Sequence, residues 1–342
     1  MRDTLNDMQL YLVDEFVEEY QEGHLGRRDA LRRIAAITGS LAMATAILAA
    51  CGAPASTNTN ASTSPAASSS SAASAAASAA ASSAASPAAS AAAAQTPVAS
   101  PDPAVSVPEN DPAIEARGVE FEGDGAPLMG YLAKPTGDGP FPLILVCHEN
   151  RGLTEHIKDV TRRVAKANYV GLAVDLLSRQ GGTAAITDPA QLQGALGQAP
   201  EGQPVQDFQS GMRYAHRQAF VDKTKVGMVG FCYGGGVTWR VATTTPELRA
   251  AVPFYGPAPQ VADVPGISAA VLAIYGELDE RINAGIAEIE AAMQGNNKTF
   301  QKQIYTGANH AFHNDTGRNY QPDAAKDAWA KTLAWFDQYV KA

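Results

Sequence analysis

The chain has 342 residues, 45% of them hydrophobic, and a formal net charge of −9. No basic tract with interleaved aromatics follows Arg33, which excludes the usual signature of a nucleic-acid binder. The three cysteines, Cys51, Cys147 and Cys232, lack the CxxC spacing of a disulfide or metal framework, so each needs its own explanation.

Residues 5–20 carry Leu5, Met8, Leu12, Phe16 and Tyr20 at helical spacing, which predicts a short amphipathic helix with no catalytic role. A cluster around Arg27, Arg28, Arg32 and Arg33 then precedes an apolar run over residues 34–50, the order of an export signal. Arg27-Arg28 with Leu31 close behind resembles a twin-arginine signal, and Leu48-Ala49-Ala50-Cys51 resembles a lipobox, with Cys51 as the lipidated residue. The competing reading is an uncleaved membrane anchor, for which the apolar run is short. Residues 53–107 are nearly all Ala, Ser, Thr and Pro and have nothing large to bury, so they read as a disordered tether. Three regions are expected: an N-terminal extension and export signal over 1–50, the cysteine and tether over 51–110, and a catalytic domain over 111–342. The protein is expected outside the cytoplasm, held to a membrane by a lipid anchor.

The last region opens with alternating stretches at 118–122 and 128–133 across a Gly- and Pro-containing turn, a hairpin signal. A continuous apolar strand follows at 143–147, with further strands at 170–174, 226–229, 250–254, 271–275 and 301–305. Helical patterns fill the gaps at 154–167, 205–219, 237–243, 284–293 and 324–339. The alternation predicts an α/β fold with a doubly wound, mostly parallel sheet, helices on both faces and a ligand site at the strand ends. Residues 180–203 read as a variable cap.

Gly230-Phe231-Cys232-Tyr233-Gly234 is a GxSxG elbow with cysteine in place of serine, on a sharp strand-to-helix turn that exposes the central side chain. A thiol nucleophile needs a base, and the base an orienting carboxylate. Asp279 and His310 follow later strands in the order that the α/β-hydrolase arrangement requires; Glu277 and Glu280 flank Asp279, and His313 shares the loop of His310. Metal binding by His310 with His313, or His148 with His156, lacks a further ligand at short fixed spacing. Cys147 lies inside a strand and reads as inert core.

From about residue 114 onward the chain resembles the dienelactone hydrolase family, the carboxymethylenebutenolidases and their relatives in the α/β-hydrolase superfamily. The matching segments include Cys147 to Leu153, Asp175 to Arg179, Gly230 to Gly235, Tyr275 to Asp279 and Gly307 to Phe312. The resemblance implies a triad of Cys232, Asp279 and His310, with Glu149 hydrogen-bonded to the resting thiol. It implies an oxyanion hole from the backbone amides of Asn150 and Tyr233, and substrate contacts from Arg179 and Tyr255. The family's second carboxylate-gripping arginine is replaced here by Asn314, which predicts a weaker preference for anionic lactones. The expected activity is hydrolysis of a small ester or lactone by a monomer with no cofactor and no metal. The alternative is a non-catalytic binding lipoprotein that keeps the fold.

Overall fold

The structure, a computed structural model, describes residues 4–51 and 106–342. The stretch read as a tether lies outside the described residues except for its last two positions, where Val107 is buried and its amide donates to Asp159 at 2.7 Å. Eight strands form the sheet: β1 Ile114–Glu122, β2 Pro127–Pro135, β3 Phe141–Cys147, β4 Val170–Asp175, β5 Val221–Phe231, β6 Leu248–Phe254, β7 Ala270–Gly276 and β8 Phe300–Tyr305. Their spatial order is β1-β2-β4-β3-β5-β6-β7-β8. Only β2 runs against its neighbours β1 and β4, and the remaining pairs are parallel. Central strands β3, β4 and β7 are apolar and buried almost throughout, whereas edge strands β1 and β8 alternate buried and exposed positions and carry charged residues. Charges on the edges discourage pairing with another chain.

Helices α4 Glu155–Lys166, α6 Gln203–His216, α7 Tyr233–Thr244, α9 Ile286–Gly295 and α10 Pro322–Phe336 cover the sheet. Alternation along β4 separates its two faces. A β-carbon on Gly171 would meet Thr161 and Val164 of α4, while Val174 and Leu172 lie against Gly211 of α6. β3 stands between β4 and β5, so the strand order reverses there and the loops after β3 and β5 flank a crevice, where doubly wound sheets bind ligands.

The N-terminal helices are α1 Asp7–Gln21, α2 Arg27–Thr38 and α3 Leu41–Ala50, and residues 4–51 belong to the same compact unit as residues 106–342. The apolar run at 34–50 is not one helix. Gly39 at φ 69° ends α2, and the Ser40 hydroxyl caps α3 by accepting the Met43 amide. Among the described residues no helix is long and apolar enough to cross a membrane. The cap region contains a helix that was not anticipated, α5 Pro189–Gly197, packed on α2; a β-carbon on Gly194 would lie 2.8 Å from that of Ala36. In α1 the side chains of Leu12, Val13 and Phe16 are buried, each worth roughly 1.5–3 kcal/mol relative to exposure.

Candidate active site

Cys232 occupies the junction of β5 and α7 with φ 58° and ψ −120°, a strained conformation for any residue with a β-carbon. The glycines on either side permit it. A β-carbon on Gly230 would sit 2.2 Å from the Gly234 carbonyl oxygen, and one on Gly234 would sit 2.5 Å from the His148 carbonyl oxygen. The same close approach brings the loop after β3, with Glu149 and Asn150, against the start of α7, where Tyr233 follows Cys232. The loop is fixed by His148, buried and neutral: Nδ1–H donates to the Glu149 carbonyl at 2.7 Å, and Nε2 accepts the Leu176 amide at 3.1 Å. Burial lowers its pKa, as that hydrogen-bond pattern requires.

Asp279 and His310 arrive on the loops after β7 and β8, and His310 Nδ1 donates to Asp279 Oδ2 at 2.6 Å. Asp279 is only 1% exposed. Burial opposes charge on both partners, yet each carries the other's charge past that penalty: the Asp279 carboxyl is lowered, and the His310 imidazole is raised well above its ordinary value. Asp279 also caps the short helix α8 Glu280–Asn283, accepting the Ile282 amide with Oδ1. The neighbouring Glu277 instead accepts the Gly307 amide at 2.8 Å, which braces the His310 loop. The Cys232 thiol is pushed up, first by burial and then by the nearby Glu15 carboxylate, with His310 pulling the other way.

Two residues that the sequence did not mark complete this cluster, both from α1. The Tyr11 hydroxyl lies 3.1 Å from Cys232 Sγ and 3.4 Å from His310 Nε2. The Glu15 carboxylate oxygens lie 3.8 and 3.9 Å from Sγ, and Asn150 Nδ2 donates to Glu15 Oε1 at 2.7 Å. Arg281 of α8 holds this segment from the other side, its guanidinium 4.7 Å from the Tyr11 ring centre and its Nε donating to Glu18 at 3.0 Å. The first helix, expected only as a short amphipathic helix with no catalytic role, thus lies against the site. Its apolar stripe is real, but Tyr11, Glu15 and Glu18 form a second, polar stripe at i, i+4 and i+7 that faces the crevice.

Glu149 is also placed differently from expectation. Its Oε2 accepts from Asn314 Nδ2 at 2.6 Å, its Oε1 is buried without a partner among the described residues, and no hydrogen bond joins it to Cys232. The carboxylate nearest the thiol is that of Glu15. Asn314, expected as a weakened substrate clamp, is buried and spends its amide on Glu149 and its oxygen on Thr316. Arg179 turns away to Asp207 at 2.6 Å and to the Asp124 carbonyl at 2.8 Å. Tyr255 does reach the site: fully buried at φ 36°, it sets its ring 5.0 Å from that of His310, and its hydroxyl has no hydrogen-bond partner among the described residues. His313 faces the core, stacked on Phe231 at 5.0 Å and near Trp329, and burial holds its pKa well down. Cys147 is fully buried in β3, and Cys51 ends α3 with its carbonyl accepting from Gln21 at 2.7 Å.

Among the described residues, the donors close enough to share a metal ion are Glu15, Cys232 and His310, all within 4.8 Å of one another. The Tyr11 hydroxyl bonds two of them, Cys232 Sγ and His310 Nε2.

Residues 128–340 match the model of the dienelactone hydrolase family. A protein from Methylorubrum extorquens with a provisional carboxymethylenebutenolidase name is 35% identical over 224 residues, covering 62% of this chain and 77% of its own length. One with the same provisional name from Escherichia coli O157:H7 is 33% identical over 256 residues, covering 71% of this chain and 94% of its own. The crystal structure of a provisionally named dienelactone hydrolase from Klebsiella pneumoniae superposes with a TM-score of 0.62 at 33% identity, over 66% of this chain and 100% of that one. The matched span takes in all but β1 of the eight strands, the crevice loops after β3 and β5, and the Asp279 and His310 loops, and on that extent the chain belongs to the dienelactone hydrolase family of α/β-hydrolases.

Proposed function

We propose that the protein hydrolyses a small ester or lactone through a thioester on Cys232. The observation that carries this reading is the set itself: a thiol on a strained elbow, an imidazole with a ring nitrogen within 4.8 Å of the sulfur, and a buried carboxylate 2.6 Å from the imidazole's Nδ1. With Nδ1–H committed to Asp279, Nε2 is the basic nitrogen. The Sγ proton passes to Nε2 as sulfur attacks the acyl carbon. The resulting oxyanion is held by the backbone amides of Asn150 and Tyr233. Collapse expels the alkoxide, which takes the proton from the imidazolium. Water then attacks the thioester, gives its proton to His310, and the acid leaves as the thiol is restored.

Chromogenic esters and lactones tested with wild type and Cys232→Ala check this reading. Acid-quenched wild type should carry one acyl mass on the Cys232 peptide, and Cys232→Ala should carry none and lose nearly all turnover. More than a tenth of wild-type activity in that variant would sink the proposal. Substrate charge is read in the same panel. Because Arg179 is paired with Asp207 and position 314 is asparagine, neutral esters should compete well with anionic lactones.

The export reading rests on Arg27-Arg28 and on Leu48 to Cys51. Expressed with its own N-terminus in a bacterial host, the protein should partition with membranes through a lipid on Cys51, and Cys51→Ala should abolish both lipid and processing. An unmodified mature N-terminus at another residue, read by mass spectrometry, would refute it.

A further inference from the structure

The placement of α1 is not what hydrolysis of an external substrate needs. An acyl carbon must come to about 3–3.5 Å from sulfur to react, and the Tyr11 hydroxyl holds that shell at 3.1 Å. It also bonds Nε2, the atom that has to take the thiol proton. Glu15 puts a carboxylate on the Asn150 side chain, beside the amides where an oxyanion has to form. A fixed anion there repels the charge that the site exists to stabilise. Beside them, Arg281 Nη2 is buried without a hydrogen-bond partner among the described residues, so even the cation bracketing this segment is incompletely used. A cleft of about 320 Å³ runs along the seam of α1 between Tyr11, Pro257 and Arg281, but Cys232 is not in its wall. Tyr11, whose hydroxyl touches the thiol, does line it.

We propose that the catalytic crevice is a binding site for α1 itself, an amphipathic helix presenting a phenol and a carboxylate one turn apart, and that this internal ligand closes the enzyme until it is displaced or removed. The proposal builds on Cys232 as the reactive thiol. It also gives the polar stripe of α1 a purpose: Tyr11 on the thiol and imidazole, Glu15 on Asn150 and Glu18 on Arg281 are successive contacts along one helix face. Cleavage before Cys51 would remove α1 together with α2 and α3, so maturation at that cysteine would also open the site.

The test uses the full chain with Tyr11→Ala and Glu15→Ala combined, read by two measurements. The rate at which iodoacetamide alkylates Cys232, followed by peptide mapping so that Cys51 and Cys147 do not contribute, should rise at least tenfold over wild type. The kcat/KM for p-nitrophenyl acetate should rise with it. If the double variant does not fold, Tyr11→Phe removes only the hydroxyl and should still raise the alkylation rate about threefold. An unchanged alkylation rate overturns the proposal, and so does a fall in kcat/KM, which would make Tyr11 or Glu15 part of the working site. Faster alkylation with no ester turned over by any form keeps the closed crevice and removes the hydrolase reading. Unchanged alkylation with normal turnover does the reverse.

Discussion

Replacing Asp279 by Asn isolates the charge of the carboxylate from its shape. The amide keeps an oxygen for the Ile282 amide that it caps, so α8 should hold. What changes is the partner of His310 Nδ1, now 2.6 Å from Oδ2. When His310 takes the thiol proton, the imidazolium and carboxylate attract with about 4 kcal/mol at a separation near 4 Å and an effective dielectric of 20, nearly a thousandfold in rate. The amide nitrogen can also donate to Nδ1, which forces the proton onto Nε2 and leaves no base facing the thiol. The assay is steady-state hydrolysis of p-nitrophenyl acetate, with kcat and KM compared in the wild-type background and again in the Tyr11→Ala/Glu15→Ala background. We expect kcat to fall by two to three orders of magnitude in each, with KM little moved. The pH profile supplies an independent reading. His310 must be neutral to act as a base, and it is the Asp279 carboxylate, against burial, that raises its pKa. The acidic limb of wild type should therefore lie above the ordinary histidine value of 6.5, and that of Asp279→Asn should move down. A loss smaller than about tenfold, or an unmoved limb, would refute the role given to the pair.

Cys147→Ala should leave kcat/KM within twofold and lower urea stability by about 1 kcal/mol, since the residue is fully buried in β3 and only packing is lost. Gly230→Ala should cost about 3 kcal/mol or more and abolish turnover, because the new carbon would meet the Gly234 carbonyl oxygen and the Thr238 hydroxyl at 2.2 and 2.3 Å; normal folding and activity would show that the elbow can yield. Asp315 accepts from His156 at 2.7 Å and from Arg163 at 2.6 Å inside the core. Asp315→Ala takes the partner of buried His156, while Arg163 keeps Asp159, and should destabilise by about 1–3 kcal/mol in chemical denaturation. Burial alone would raise the Asp315 pKa, but the His156 hydrogen bond and the Arg163 charge hold it low. Its contribution is thus present above the ordinary aspartate value and lost as pH falls below it, so wild type should weaken more steeply than Asp315→Ala on acidification below about pH 4.

The sequence made the sheet legible because its central strands are buried on both faces and read as unbroken apolar runs, while Gly and Pro mark the turns between them. Cys232, Asp279 and His310 were legible for a related reason. Each follows a strand, so the topology that orders the strands also gathers their C-terminal loops. Helix α5 was missed because Gly194 and Gly197 dilute its pattern. Those glycines are there for contact with Ala36 and Ile37 of α2, a long-range fact that local periodicity does not carry. Reading residues 34–50 as one run overlooked Gly39 and Ser40, whose left-handed turn and hydroxyl cap divide it. Tyr11 and Glu15 were hidden by the apolar stripe beside them. Periodicity identifies the buried face of a helix, but it does not register that a polar face is buried too.

The two carboxylates around the thiol behave in opposite ways, and the difference bears on how the closed form protects itself. Glu149 stays with the catalytic domain, held at one oxygen by Asn314; its other oxygen and the Tyr255 hydroxyl are buried with no hydrogen-bond partner among the described residues. Leaving such groups unsatisfied costs about 1–3 kcal/mol each, a cost tolerated where an incoming ligand supplies the missing partner. Glu15 belongs to the helix that departs or moves. Burial raises its pKa, His310 and Arg281 pull it back down, and Glu19 on its own helix adds to the rise. A carboxyl with a raised pKa favours the seated helix below its ordinary value and loses that advantage as pH climbs through the raised one. Meanwhile the same carboxylate, with burial, keeps the Cys232 sulfur protonated while α1 is in place. A protonated thiol oxidises slowly, so the contact that blocks hydrolysis also shields the one sulfur whose loss would end it.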